Sequence, residues 1–131
     1  MILLDLHDRR PIYEQIAEKF RMLILQGALP PGSRLPSVRQ LAMELSINPN
    51  TIQRAYMELE QDGLVYPVKG KGNFIADNEE ILKKSREEYY QELKEMVKKG
   101  INMGMKEETL IYIIKDCYKK EAANDRDQGM Q

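Results

Sequence analysis

The chain holds one cysteine, Cys117, and one histidine, His7. An intrachain disulfide, a CxxC metal or redox site and a histidine-rich zinc or iron site are thereby excluded. A Ser-His-Asp triad would have to use His7, near the chain start, as its base. No convergent set of nucleophile, base and metal ligands is visible, so an enzyme is disfavoured, and no cofactor or metal is expected. The side chains left to carry chemistry do so through hydrogen bonds and charge. Asn50, Thr51, Gln53 and Arg54 crowd into five positions, and Lys69 and Lys71 alternate with Gly70 and Gly72.

Bulk properties do not say what such side chains would meet. The 131 residues are 42% hydrophobic and 31% charged, the balance of a soluble globular chain, with a formal net charge of -1. Residues 1–76 sum to +1 and the remainder to -2, so no strong basic footprint announces a nucleic-acid partner. No apolar run approaches the ~18 residues of a membrane span. The opening MILLDLHDRR is too short and too soon acidic for a secretory signal, and a cytoplasmic location is expected.

The elements that must position these residues follow from periodicity. Ile12, Ile16, Phe20, Leu23 and Ile24 define the apolar stripe of a helix from Pro11 to Gln26, with Gly27 just past its end. A rigid connector, Leu29-Pro30-Pro31-Gly32-Ser33-Arg34-Leu35-Pro36, follows. Ser37, with Gln40 three residues on, signals the capped start of a second helix that buries Val38, Leu41, Ala42 and Leu45. Asn48-Pro49 signals a third, running to about Asp62, that buries Ile52, Ala55, Tyr56 and Leu59 and stops at Gly63. Leu64-Val65-Tyr66 and Phe74-Ile75-Ala76 then read as a hairpin around a loop with two lysines and two glycines.

Two short helices joined by a tight turn, followed by a hairpin, form the pattern of a winged helix-turn-helix. Ala42 fits the close helix approach and Ile47 the apolar plug of the turn. Asn50, Thr51, Gln53 and Arg54 then lie off the buried stripe in the first turns of the third helix, the end that such folds aim at base edges and whose free N–H groups favour phosphate.

The run PPGSRLPSVRQLAMELSINPNTIQRAYMELEQDGLVYPVKGKGNFI, residues 31–75, resembles the DNA-binding domain of GntR-family bacterial transcription factors, and Pro11-Ile12-Tyr13-Glu14-Gln15-Ile16 resembles the family's first helix. The resemblance implies double-stranded operator DNA as partner, with recognition helix in the major groove and wing in the minor groove. It implies that Arg34 and Ser37 anchor the backbone and that Arg39 reads a base, its planar fork suiting guanine O6 and N7. It places Asn50, Thr51 and Gln53 or Arg54 at the recognition positions. It sets Gly70 at the wing tip in the minor groove, with Lys69 and Lys71 beside phosphates. Pro49 and Gln53 stand where some members carry arginines, so the operator sequence stays open.

From Asn78 the composition shifts. Ile81, Leu82, Tyr89, Leu93, Met96 and Val97 suggest a long helix ending near Gly100, and residues 101–105 a connector. Leu110, Ile113, Ile114, Cys117 and Tyr118 suggest a last helix over 109–120, and residues 122–131 a disordered tail. Two helices cannot bury these stripes alone; they cover the winged domain or face a second chain, and a dimer would supply the second reading head of a palindromic operator. The tail resembles that of the YtrA-like subfamily, in which it dimerises and is too small for a large effector pocket. The expected organisation is a mainly α chain: a winged helix-turn-helix over 1–76 and a helical dimerisation segment over 77–121. The interface would comprise Ile81, Leu82, Tyr89, Leu93, Met96, Val97, Leu110, Ile113, Ile114 and Cys117. The expected function is that of a homodimeric repressor on an inverted repeat, its small-molecule effector unknown. Plainer roles stand beside these: Arg39 pairing with Glu44 or Glu14, Asn50 and Thr51 completing a cap, the lysines keeping a loop soluble, and the winged fold serving as a protein-interaction module.

Overall fold

A computed structural model describes the backbone of residues 4–5 and 7–129 and the side chains of those up to 125. Helices α1 (Ile12–Leu25), α2 (Val38–Leu45) and α3 (Pro49–Gln61) precede strands β1 (Val65–Val68) and β2 (Gly72–Ile75), and helices α4 (Glu79–Asn102) and α5 (Glu107–Gly129) follow. The chain divides into two compact units, the first reaching Lys84 and the second starting at Ser85, so the division falls inside α4 rather than at residue 76.

In the first unit the periodic stripes form one core. Ile16, Phe20 and Ile24 of α1, Leu41 and Ala42 of α2, and Ile52, Ala55, Tyr56 and Leu59 of α3 are buried together with Leu35, Leu64, Val65 and Ile75. Phe20 and Tyr56 meet edge-to-face, ring centroids 5.7 Å apart. Ser37 Oγ accepts from the Gln40 N–H at 3.0 Å, and Asn48 Oδ1 from the Asn50 N–H at 2.9 Å, so the starts of α2 and α3 are capped as their sequences demand. Both turns out of these helices close in the same way. The Leu64 N–H donates to the Leu59 carbonyl beyond Gly63, and the Ile47 N–H to the Ala42 carbonyl beyond Ser46. Ser46 stands at φ 54, the one non-glycine among the described residues with positive φ.

β1 and β2 pair antiparallel, Val65 opposite Ile75 and Val68 opposite Gly72, and turn through Lys69-Gly70-Lys71. The strands reach further into the loop than the apolar pattern indicated. The connector is also more than a rigid turn. The Leu35 N–H donates to the Asn73 carbonyl, the Gly32 N–H to Ile75 and the Ile75 N–H to Ser33, so residues 32–35 line the free edge of β2.

The first turn of α4 belongs to this unit. Leu82 packs against its core, and a side chain at Gly63 would meet Ile81 Cδ1 at 3.1 Å. That packing accounts for the apolar character of Leu82 without a second chain, whereas Ile81 is exposed.

The second unit departs from expectation in its last helix. α4 ends near Gly100 as expected, running through it to Asn102. Gly100 is buried because Met105 and Leu110 come within 3.6 and 3.7 Å of where a side chain would begin. α5 does not stop at Lys120 but continues to Gly129, so residues 122–129 extend a helix instead of forming a disordered tail, and 130–131 lie outside the described residues. Elongating an existing helix needs no new nucleus, and Ala122 and Ala123 continue it at little cost into the polar stretch beyond.

Candidate nucleic-acid interface

The exposed first turns of α3 are the centre of the site. With Asn48 capping and Pro49 opening the helix, Asn50, Gln53 and Arg54 are exposed and Thr51 is half-buried. Tyr56, on the opposite face, donates its hydroxyl to the Pro36 carbonyl at 2.7 Å. This bond fixes the entrance of α2 against α3. Burial, with the charge of Glu44 adding to it, pushes the Tyr56 phenol well above its ordinary value.

Arg34 is placed by the connector's pairing with β2. It bridges to Phe74 in the ladder, and its guanidinium lies across Gly72, where a Cβ would meet Arg34 Nε at 3.1 Å. A shallow groove lined by Arg34, Leu35, Pro36, Ser37 and Gln40 continues into another lined by Ser37, Arg39, Gln40, Met43 and Glu44. Arg34, Ser37 and Arg39 therefore share one continuous surface that begins at the wing. Arg39 is exposed and forms no ion pair among the described residues, neither with Glu44, which lines the same groove, nor with Glu14. Lys69, Gly70 and Lys71 form the exposed wing tip, with Gly70 at φ 78 and no atom within 4 Å of where its side chain would project.

Arg54 is differently placed. Its guanidinium carbon lies 3.9 Å from the centroid of the Tyr13 ring, and Nη2 donates to the Tyr13 hydroxyl at 3.2 Å. The sequence pattern missed Tyr13 because a half-buried aromatic on an apolar helix stripe looks like packing. Gln40, read in the sequence only as part of a cap, and Met43, 76% exposed, also line the Arg39 groove. Four acidic groups of this unit stand elsewhere. Glu14, Glu18, Glu58 and Asp62 line a separate groove with Arg10 and Arg21, where Arg21 bridges Glu18 at 2.8 Å and Asp62 at 2.6 Å.

On the second unit, Tyr89, Leu93, Met96, Val97, Ile113, Ile114 and Cys117 are exposed, and Leu110 is half-buried. Among the described residues no group of three or more His, Cys, Asp or Glu side chains is arranged to hold a metal, and no helix is long and apolar enough to cross a membrane.

A capped helix carried outward by a helix-turn-helix, with a basic hairpin beside it, defines the class of winged-helix DNA-binding proteins. Residues 12–75 match the bacterial regulatory proteins of the gntR family. The chain is 39% identical over 107 residues to the uncharacterized HTH-type transcriptional regulator YhcF of Bacillus subtilis (strain 168), covering 81% of this chain and 88% of that one. It is 45% identical over 78 residues to the HTH-type transcriptional repressor YtrA of the same organism, of whose length the match spans 60%, as it does of this chain. A GntR family transcriptional regulator from Listeria monocytogenes has the same architecture, with a TM-score of 0.67 at 33% identity over 86% of this chain and 98% of that one. The chain belongs to the GntR family of DNA-binding transcriptional regulators. These relatives are named as regulators, not enzymes.

Proposed function

We propose that the protein is a homodimeric, cytoplasmic repressor that binds an inverted-repeat operator. Each α3 enters a major groove by its N-terminal turns, and each Lys69-Gly70-Lys71 tip enters the adjacent minor groove. Arg39 reads a base, joined by Asn50, Thr51 and Gln53, while Arg34, Ser37, Lys69 and Lys71 hold phosphates. The observation that carries this reading is the continuous surface from the wing through Arg34 and Ser37 to an unpaired Arg39. The dimer rests on the apolar side chains left in water on α4 and α5, of which Tyr89, Leu93, Met96, Val97, Ile113 and Ile114 are examples. Because Leu82 packs within the first unit, the dimer face is assigned to Ile81 and the residues beyond Leu82, together with Leu110 and Cys117.

Selection of bound sequences from random duplex DNA, followed by mobility shifts, tests the proposal. An enriched inverted repeat, bound by two chains per duplex, is expected. Recovery of unrelated sequences, or of a single half-site bound by one chain, would overturn it.

A further inference from the structure

The recognition helix carries one arginine that is not free. Arg54 lies one turn beyond Asn50, and its flat guanidinium is stacked 3.9 Å from the centroid of the Tyr13 ring of α1. The contact is directional at both ends. The Tyr13 hydroxyl donates to Glu14 Oε1 at 3.2 Å, which turns its lone pairs toward Arg54, and it accepts from Arg54 Nη2 at 3.2 Å. The tyrosine is itself held against the core, so it is a rigid platform. A guanidinium has five N–H groups; the stack uses its face and the phenol uses one N–H. The others stay in a fixed plane on an exposed side chain.

We propose that Tyr13 is a positioning residue for DNA binding, holding Arg54 on the shoulder of α3 as a pre-oriented anchor for a backbone phosphate, so that base reading falls to Gln53 and its neighbours. The stack fixes several torsions of a long side chain before DNA arrives, and so removes ordering entropy from the binding step. A recognition helix presents one side to base edges and its flanks to the phosphates of the groove walls, and the Tyr13 stack draws Arg54 to the flank that faces α1. The clamp links α1, otherwise a bracing helix, to the exposed face of α3. The inference rests on the DNA-binding mode proposed above.

The test uses the full chain, the operator recovered by selection, and a scrambled duplex of the same length and composition. Arg54→Ala should weaken both duplexes about five- to tenfold alike and lower the slope of log affinity against log salt by about one per subunit. Tyr13→Leu should weaken both duplexes several-fold with the slope kept, because the charge is still present. In an Arg54→Ala background Tyr13→Leu should cost nothing further. Should Tyr13→Leu melt early, Tyr13→Phe, which keeps ring and packing but loses the hydroxyl, decides: a loss present with Arg54 and absent without it supports the clamp. Equal losses in both backgrounds, no loss from either single variant, or an Arg54→Ala that changes the preference for operator over scrambled duplex would overturn it. If the unsubstituted chain bound no duplex, the operator reading would fall and the clamp with it. If it bound normally but without coupling, the clamp alone would fall.

Discussion

An arginine fork without an intramolecular partner can bond a base edge without giving up an existing bond. Arg39 forms no ion pair among the described residues, whereas Arg54 is held by Tyr13. Arg39→Ala should therefore cost about 1–3 kcal/mol on the operator and relax selectivity at one base pair per half-site, whereas Lys71→Ala should weaken operator and scrambled DNA alike. Competition mobility shifts with operator variants separate the two; equal losses for Arg39→Ala would make it a phosphate anchor. Tyr56 is tested through stability. Tyr56→Phe removes the bond to the Pro36 carbonyl and should lower unfolding free energy by about 1 kcal/mol in urea titration. Its raised phenol also has a pH signature. The folded form keeps the proton after the unfolded phenol, with its ordinary value of 10.0, has lost it, so this contribution is full below pH 10 and declines as pH rises beyond. Tyr56→Phe should lack that alkaline decline. Residue types and cap positions made Asn50, Gln53 and the wing lysines legible in the sequence. The state of Arg54 was not, because Tyr13 lies 41 positions away and only the packing of α1 on α3 brings the two together.

Among the elements, helix starts were the most legible part of the fold. Ser37 and Asn48-Pro49 are local signals whose chemistry does not depend on distant contacts, and both caps form. Helix ends were harder to place. Gly27 and Gly63 mark stops where they were expected, but Gly100 lies inside α4, and the left-handed turn falls at Gly104. A glycine marks a stop or a close approach, and only the neighbouring Met105 and Leu110 distinguish the two. The pairing of residues 32–35 with β2 was hidden for a related reason, since a proline-rich connector carries no strand pattern. The turn of the helix-turn-helix supplies a prediction at this scale. Ser46 occupies at φ 54 the position that glycine takes after α1, α3 and α4. Ser46→Gly should remove the left-handed penalty and, less the extra freedom of the unfolded chain, raise stability by up to about 1 kcal/mol without altering operator selectivity. Thermal melting reads this effect; a lower melting temperature would show that the serine side chain contributes more than its backbone strain costs.

For the whole molecule the net charge of -1 is the useful constraint. Bulk attraction to DNA is slight, so salt sensitivity must come from the cations gathered on the winged unit. A dimer making ~6–10 phosphate contacts should lose about 10³–10⁵ in affinity between 50 and 200 mM salt, and a shallow dependence would argue against that many contacts. The winged unit was legible at this scale because its signals are dense and short-range. The second unit was only half legible, since the turn after α4 is closed by Met105 and Leu110 against Gly100 and the polar stretch that prolongs α5 carries no apolar stripe. One further property belongs to the molecule as a whole. The backbone bonds from Gly32, Ser33 and Leu35 to Asn73 and Ile75 lash the hairpin to the strand of chain that leads directly into α2. The hairpin is thus no independent flap, and the two protrusions behave as the jaws of a fixed caliper. On the proposed binding mode, a duplex carrying the correct bases but a stretched or narrowed distance between neighbouring grooves would be gripped by one jaw only, and the protein would gauge the form of DNA as well as its letters.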